Sequence, residues 1–150
     1  MITATRRLQF CAGHRVHRHE SKCANIHGHN YVLFFEAMKV KTHDLPEDLD
    51  LDSIGRVIDF SVMKAKLGTW IGENWDHGFI FFAGDPDLRA LYLGPLVSHK
   101  HFELPYNPTA ENMAKFLLTK ICPVLFADTG IVITSITLHE TENCSAKVEL

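Results

Sequence analysis

One run constrains this chain more than any other: HGHNYVLFFEAMKVK, from His27 to Lys41. Its aromatic and β-branched side chains suit a pleated, half-buried surface, so it reads as a strand. A strand needs neighbours for its backbone N–H and C=O groups, so the rest of the chain has to supply a sheet. ATRRLQFCA, with Leu8 and Phe10 alternating with polar neighbours, reads as the strand before it. GIVITSITLHET alternates strongly and makes a third strand, and AKVEL a short fourth.

Between these pairs the period changes. Phe60, Met63, Leu67, Trp70 and Ile71 recur at helix spacing, with Asp59 or Ser61 able to cap the first turn. PTAENMAKFLLTKI opens a second helix, with Thr109 as N-cap, Glu111 at the positive end of the dipole and Pro123 to bend or stop it. HDLPEDLDLDSIG is an acidic connection, and Ala83–Asn107 reads mostly as loop, with a helical turn or two in PDLRALYL. The expected fold is α+β in the order β-β-α-α-β-β: one domain over residues 1–150, an antiparallel four-stranded sheet with two helices on one face. Such a sheet leaves its edges open, and edges of this kind are often closed by other subunits.

Composition excludes several functions. A net charge of −3 gives no broad positive field for nucleic acid or anionic lipid. No stretch approaches the roughly 20 apolar residues of a membrane span. MITATRRLQF lacks the apolar run of a signal peptide, which points to the cytoplasm and to reduced thiols at Cys11, Cys23, Cys122 and Cys144. No C-x-x-C pair occurs among them, which argues against a four-cysteine zinc knot.

The ten histidines carry more information. His27 and His29 are i and i+2 in a strand, so they share a face, and Gly28 leaves the other face clear. If the first two strands form a hairpin, His14 reaches the same spot. Three neutral imidazoles suit Zn²⁺, with a fourth position left for water or substrate. An isolated His-x-His is more often a surface pair, and the residues alone leave both readings open. Cys23 lies four residues before His27, beside Lys22, whose charge favours a thiolate. It reads as a reactive thiol, a fourth ligand or a loop filler; the other three cysteines read as packing. Asp76 and His77 suggest a carboxylate-oriented base. Glu140, ending a strand, could clamp an amidine-like edge through two hydrogen bonds. His99 and His101 form a second cluster, more often solvated than ligating. Arg6, Arg7, Arg15 and Arg18 surround the first hairpin, where some could meet an anionic substrate.

The segments FCAGH, KCANIHGH, GRVIDF, DH, PTAEN and HETENC occur in an order that spans nearly the whole chain. This ordered set resembles the 6-pyruvoyl-tetrahydropterin synthase family, which includes the bacterial 6-carboxytetrahydropterin synthases of queuosine biosynthesis. The resemblance implies a T-fold (tunnelling fold) assembled as a homohexamer, a dimer of trimers, with active sites at subunit interfaces. It implies zinc on His14, His27 and His29, and Cys23 as the catalytic thiol coupled to Asp76 and His77. Glu140 would anchor the pterin, and Thr109 would line its pocket. The implied substrate is 7,8-dihydroneopterin triphosphate. The C-x3-HGH spacing resembles the carboxy branch, so the expected products are 6-carboxytetrahydropterin, acetaldehyde and triphosphate. The alternatives are triphosphate elimination to a pyruvoyl product, or a zinc-binding protein of the same fold without turnover.

Overall fold

A computed structural model of the chain describes residues 2–40 and 51–150. Strands β1 (Ala4–His14) and β2 (His27–Lys39) pair antiparallel from Ala4 opposite Ala37 to His14 opposite His27. The alternation seen in the sequence sorts their side chains. Phe10, Ala12, Tyr31, Leu33 and Phe35 are buried on one face, while Cys11 and Asn30 point to the other. On the buried face lie helix α1 (Phe60–Asn74) and a second helical rod, and all three parts contribute to one core. Asp59 caps α1 by accepting the Ser61 N–H at 2.7 Å. Met63, Leu67 and Ile71 are the face it buries, whereas Phe60 stays exposed.

The second rod begins as α3 (Ala110–Phe116), capped by Thr109 as expected, with Asn112 N–H on its Oγ1. It does not stop before Pro123. A π-helical turn, Leu117–Ile121, leads into α4 (Cys122–Leu125). Proline lacks an N–H and crowds the carbonyl four residues back, and a widened turn accommodates both defects.

Among the described residues the sheet has six strands, not four: with β3 (Gly78–Phe82), β4 (His101–Leu104), β5 (Ile131–Thr141) and β6 (Cys144–Glu149), the order is β4-β3-β1-β2-β5-β6. The third and fourth expected strands are β5 (Ile131–Thr141) and β6 (Cys144–Glu149), both antiparallel to their neighbours. The additional pair is β3 (Gly78–Phe82) and β4 (His101–Leu104), joined parallel to each other and to the end of β1. The sheet is therefore mixed, and the expectation of a wholly antiparallel one is corrected. GFIFF shows no alternation because both its faces are covered. Ile80 enters the main core; Phe79 and Phe81 turn the other way, under α2 (Pro86–Tyr92), with Leu88 and Tyr92. The supposed loop Ala83–Asn107 thus holds a helix and a strand. The acidic connection lies outside the described residues from His43 to Asp50. Among the described residues no helix is long and apolar enough to cross a membrane.

Candidate metal centre and active site

Pairing His14 with His27 and Ala12 with His29 puts three imidazoles on the core face, at one end of the β1–β2 hairpin. Their ligand nitrogens lie within 4.8 Å of one another. Each ring is set from behind. His14 Nδ1 is 2.8 Å from the Pro108 carbonyl, and His27 Nδ1 is 2.7 Å from that of Asn25. A carbonyl only accepts, so both Nδ1 atoms carry the proton and both Nε2 atoms present lone pairs. Those two Nε2 atoms face each other at 3.1 Å with no proton to share. Nε2 of His29 is buried without a partner.

Facing lone pairs repel unless a cation lies between them. With Zn–N bonds of about 2.0–2.1 Å, two ligands of a tetrahedral ion stand about 3.3–3.4 Å apart. The donor set therefore fits a divalent, nitrogen-preferring ion such as zinc. Burial, with smaller contributions from the neighbouring rings, lowers His14 to about 4 even though the Pro108 carbonyl favours its charged form. Burial lowers His29 as well, so these two rings are biased to the neutral form that a metal ligand needs. Tyr31 supports them: its ring is edge-on to His14 and His29 and stacked on Phe10 at 4.9 Å. Gly28 is required, because a Cβ there would meet the Ala12 carbonyl oxygen at 2.9 Å.

Beside the histidines lies a cavity of about 210 Å³, lined by His14, Cys23, Thr109, Glu111, Glu140 and Cys144 among others. Cys23 is half-buried, on a single helical turn, Lys22–Ala24. Burial and the nearby Glu111 carboxylate raise the Glu140 carboxyl above its usual range, opposed only by His27. Cys144 is exposed in this cavity rather than packed. Cys11 is exposed too, its thiol 2.9 Å from Asn30 Oδ1. Of the three cysteines read as packing, only Cys122 is buried, and burial pushes its thiol up to about 12.

Asp76 and His77 do form a pair, Oδ1 to Nδ1 at 3.0 Å. His77 lines a second hollow, apart from the cavity, with Cys11, Asn30 and the His27–His29 stretch of β2. His77 is exposed and adopts φ 56°, a strained left-handed backbone for a side chain of its size. Burial alone would raise the Asp76 carboxyl. The Cys11 N–H at 2.9 Å, the His77 ring and the Lys100 ammonium outweigh it and hold Asp76 below the usual range. His99 and His101 stand apart from the metal ligands: His101 bonds the His99 carbonyl and lies against Tyr92.

A profile of 6-pyruvoyl tetrahydropterin synthases matches residues 3–150. The chain belongs to this family. A 6-carboxy-5,6,7,8-tetrahydropterin synthase of Rickettsia conorii is 38% identical, the match covering 99% of this chain and 100% of that protein. Among solved structures, an uncharacterized protein from Wolinella succinogenes superposes with a TM-score of 0.77 at 21% identity, covering 99% and 97% of the two chains. The Plasmodium vivax 6-pyruvoyltetrahydropterin synthase does so with a TM-score of 0.66 at 17% identity, covering 100% and 99%. At such identities the structures bear on fold alone. This pterin synthase chain holds its ligands through residues that sequence reading missed: Asn25 and Pro108 act through backbone carbonyls, which every residue has and no motif marks. Cys144 was legible in HETENC as a residue but not as a cavity wall.

Proposed function

We propose that the chain is a zinc-dependent 6-carboxy-5,6,7,8-tetrahydropterin synthase, a lyase that converts 7,8-dihydroneopterin triphosphate and water to 6-carboxytetrahydropterin, acetaldehyde and triphosphate. The observation that carries this reading is the trio of convergent imidazoles, of which His14 lines a cavity that also holds the Cys23 thiol and the Glu140 carboxyl. The full-length similarity to the Rickettsia enzyme supports the carboxy product over the pyruvoyl one, as does the C-x3-HGH spacing.

His14, His27 and His29 hold the ion. Bound there, zinc supplies a Lewis acid that polarises the substrate's side chain and lowers the pKa of its hydroxyls. Glu140 accepts hydrogen bonds from the 2-amino group and N3–H of the pterin, two donors that favour its carboxylate form. Thr109 lines the same pocket, and its hydroxyl proton is free because Oγ1 accepts from Asn112. Cys23 moves protons along the substrate side chain as the carbon–carbon bond breaks and triphosphate leaves. Asp76 holds His77 with Nδ1 protonated, which leaves Nε2 to act as acid and base.

Cys23 and His77 line separate cavities of the chain, so in the proposed site the thiol of one chain meets the Asp76–His77 pair of a neighbouring copy. Such composite sites fit a T-fold hexamer, a dimer of trimers; the proposed setting is the cytoplasm and the route to queuosine. The test is incubation of zinc-loaded protein with 7,8-dihydroneopterin triphosphate. Acetaldehyde together with the mass of the carboxylated pterin is the expected outcome. A dicarbonyl pterin without acetaldehyde would move the assignment to the pyruvoyl branch.

A further inference from the structure

The stretch Ala83–Asn107 has no part in the chemistry above, yet it is bonded to Arg15 and His17, which follow His14, and to Asp76. Near its start Asp85 is buried, its side chain 1% exposed. Arg15 forks onto it, Nε to Oδ2 and Nη2 to Oδ1, both at 2.6 Å. Arg15 also reaches Asp87 at 3.0 Å. The Asp85 carboxylate caps α2 by accepting the Asp87 and Leu88 N–H groups, so it is fixed to a rigid element. In the middle of the stretch Lys100 Nζ donates to the Asp76 carbonyl at 2.7 Å. At its end Asn107 takes both backbone groups of His17, accepting its N–H at 2.8 Å and donating to its carbonyl at 3.0 Å. The next residue, Pro108, holds His14.

Between Arg15 and His17, the Val16 N–H donates to the carbonyl of Cys23 at 2.8 Å. The path from Asp85 to the thiol is therefore short: a carboxylate, a guanidinium, one peptide, one backbone hydrogen bond. A buried ion pair is a poor source of stability, since a packed apolar pair of the same volume often does as well or better. What a bidentate fork adds is direction.

We propose that Asp85 and Arg15 are positioning residues: their pair, carried by the Ala83–Asn107 brace, sets the Cys23 loop at its working distance from the three histidines. The inference rests on Cys23 being the reacting thiol. Misplacement of a reacting group by about 1 Å can cost about 100-fold in rate.

The test compares Asp85→Asn, which keeps a capping oxygen but removes the charge, with Arg15→Met and Arg15→Lys. Each zinc-loaded variant is assayed for zinc content, for hydrogen exchange in peptides spanning residues 15–23, for Cys23 alkylation by iodoacetamide mapped by mass spectrometry, and for kcat and KM. Asp85→Asn and Arg15→Met should keep a full zinc complement, since the histidines are untouched. Exchange at 15–23 should quicken about tenfold and Cys23 alkylation should change about tenfold. The kcat should fall about 100-fold with KM within about twofold, and Arg15→Lys should recover part of the loss. Unchanged alkylation and kcat in the folded variants would overturn the proposal. If wild-type protein leaves the pterin unreacted, the functional reading fails, and exchange and alkylation still decide the brace. If Asp85→Asn fails to fold, Arg15→Lys, which leaves a cation on the buried carboxylate, decides it by the same readouts.

Discussion

His14 shows how much one position can carry. It ends β1, donates to the Pro108 carbonyl and faces His27 across the hairpin, and burial holds it near 4. Because the folded value lies below the ordinary 6.5, its contribution is complete above about 6.5 and is lost as pH falls towards about 4. Chelated protein should thus lose at most about 3 kcal/mol across that window, read as a falling urea midpoint; a flat profile would show the ring to be solvated in the apo state. His27→Ala should abolish zinc binding, measured as metal per chain after dialysis, while far-UV circular dichroism is preserved. Glu140 runs the opposite way. Its carboxyl is raised, so the folded chain is favoured when it is protonated, and that contribution is lost as pH rises through the raised folded value. Glu140→Gln should then raise the apo melting temperature at neutral pH, and more so than at acid pH, while removing pterin affinity. A variant less stable than wild type at neutral pH would mean that Glu140 already has a partner in the free protein.

At the level of elements, two caps of similar geometry separate stability from function. Asp59 caps α1 and Thr109 caps α3, each accepting a backbone N–H. Replacing either by Ala should cost about 1 kcal/mol, or about 2–4 °C of melting temperature. Only Thr109→Ala should also weaken pterin binding, because Thr109 lines the cavity; an equal effect of Asp59→Ala on KM would remove that distinction. The caps, the helix spacing and the strand alternation were all legible because each is written within a few residues. The π turn before Pro123 and the two parallel strands were not. GFIFF lacks alternation, HFEL alternates over only four residues, and nothing local says that α2 will cover the outer side of GFIFF.

At the scale of the whole molecule, the proposed site is shared between two chains. Cys23, His14 and Glu140 line one cavity, and His77 lines a separate hollow with Cys11, Asn30 and the His27–His29 stretch of β2. Cys23→Ala and His77→Ala should each be inactive alone. Dissociated, mixed in equal amounts and reassembled, they should recover about one quarter of wild-type activity, the share of composite sites that pair a native Cys23 from one chain with a native His77 from the other. No recovery would mean that the site lies within one subunit. Local order in the chain determined the ligand identities, the hairpin that pairs them, the caps and the family, because periodicity, side-chain chemistry and motif order are properties of neighbouring residues. Tertiary structure alone decided the six-stranded order, the carbonyls that set two imidazoles, the Asp85–Arg15 fork and the cavity that each group lines. Those depend on residues far apart in sequence, such as His14 and Pro108, 94 positions apart, coming within hydrogen-bond reach, and only packing of the whole chain specifies such meetings.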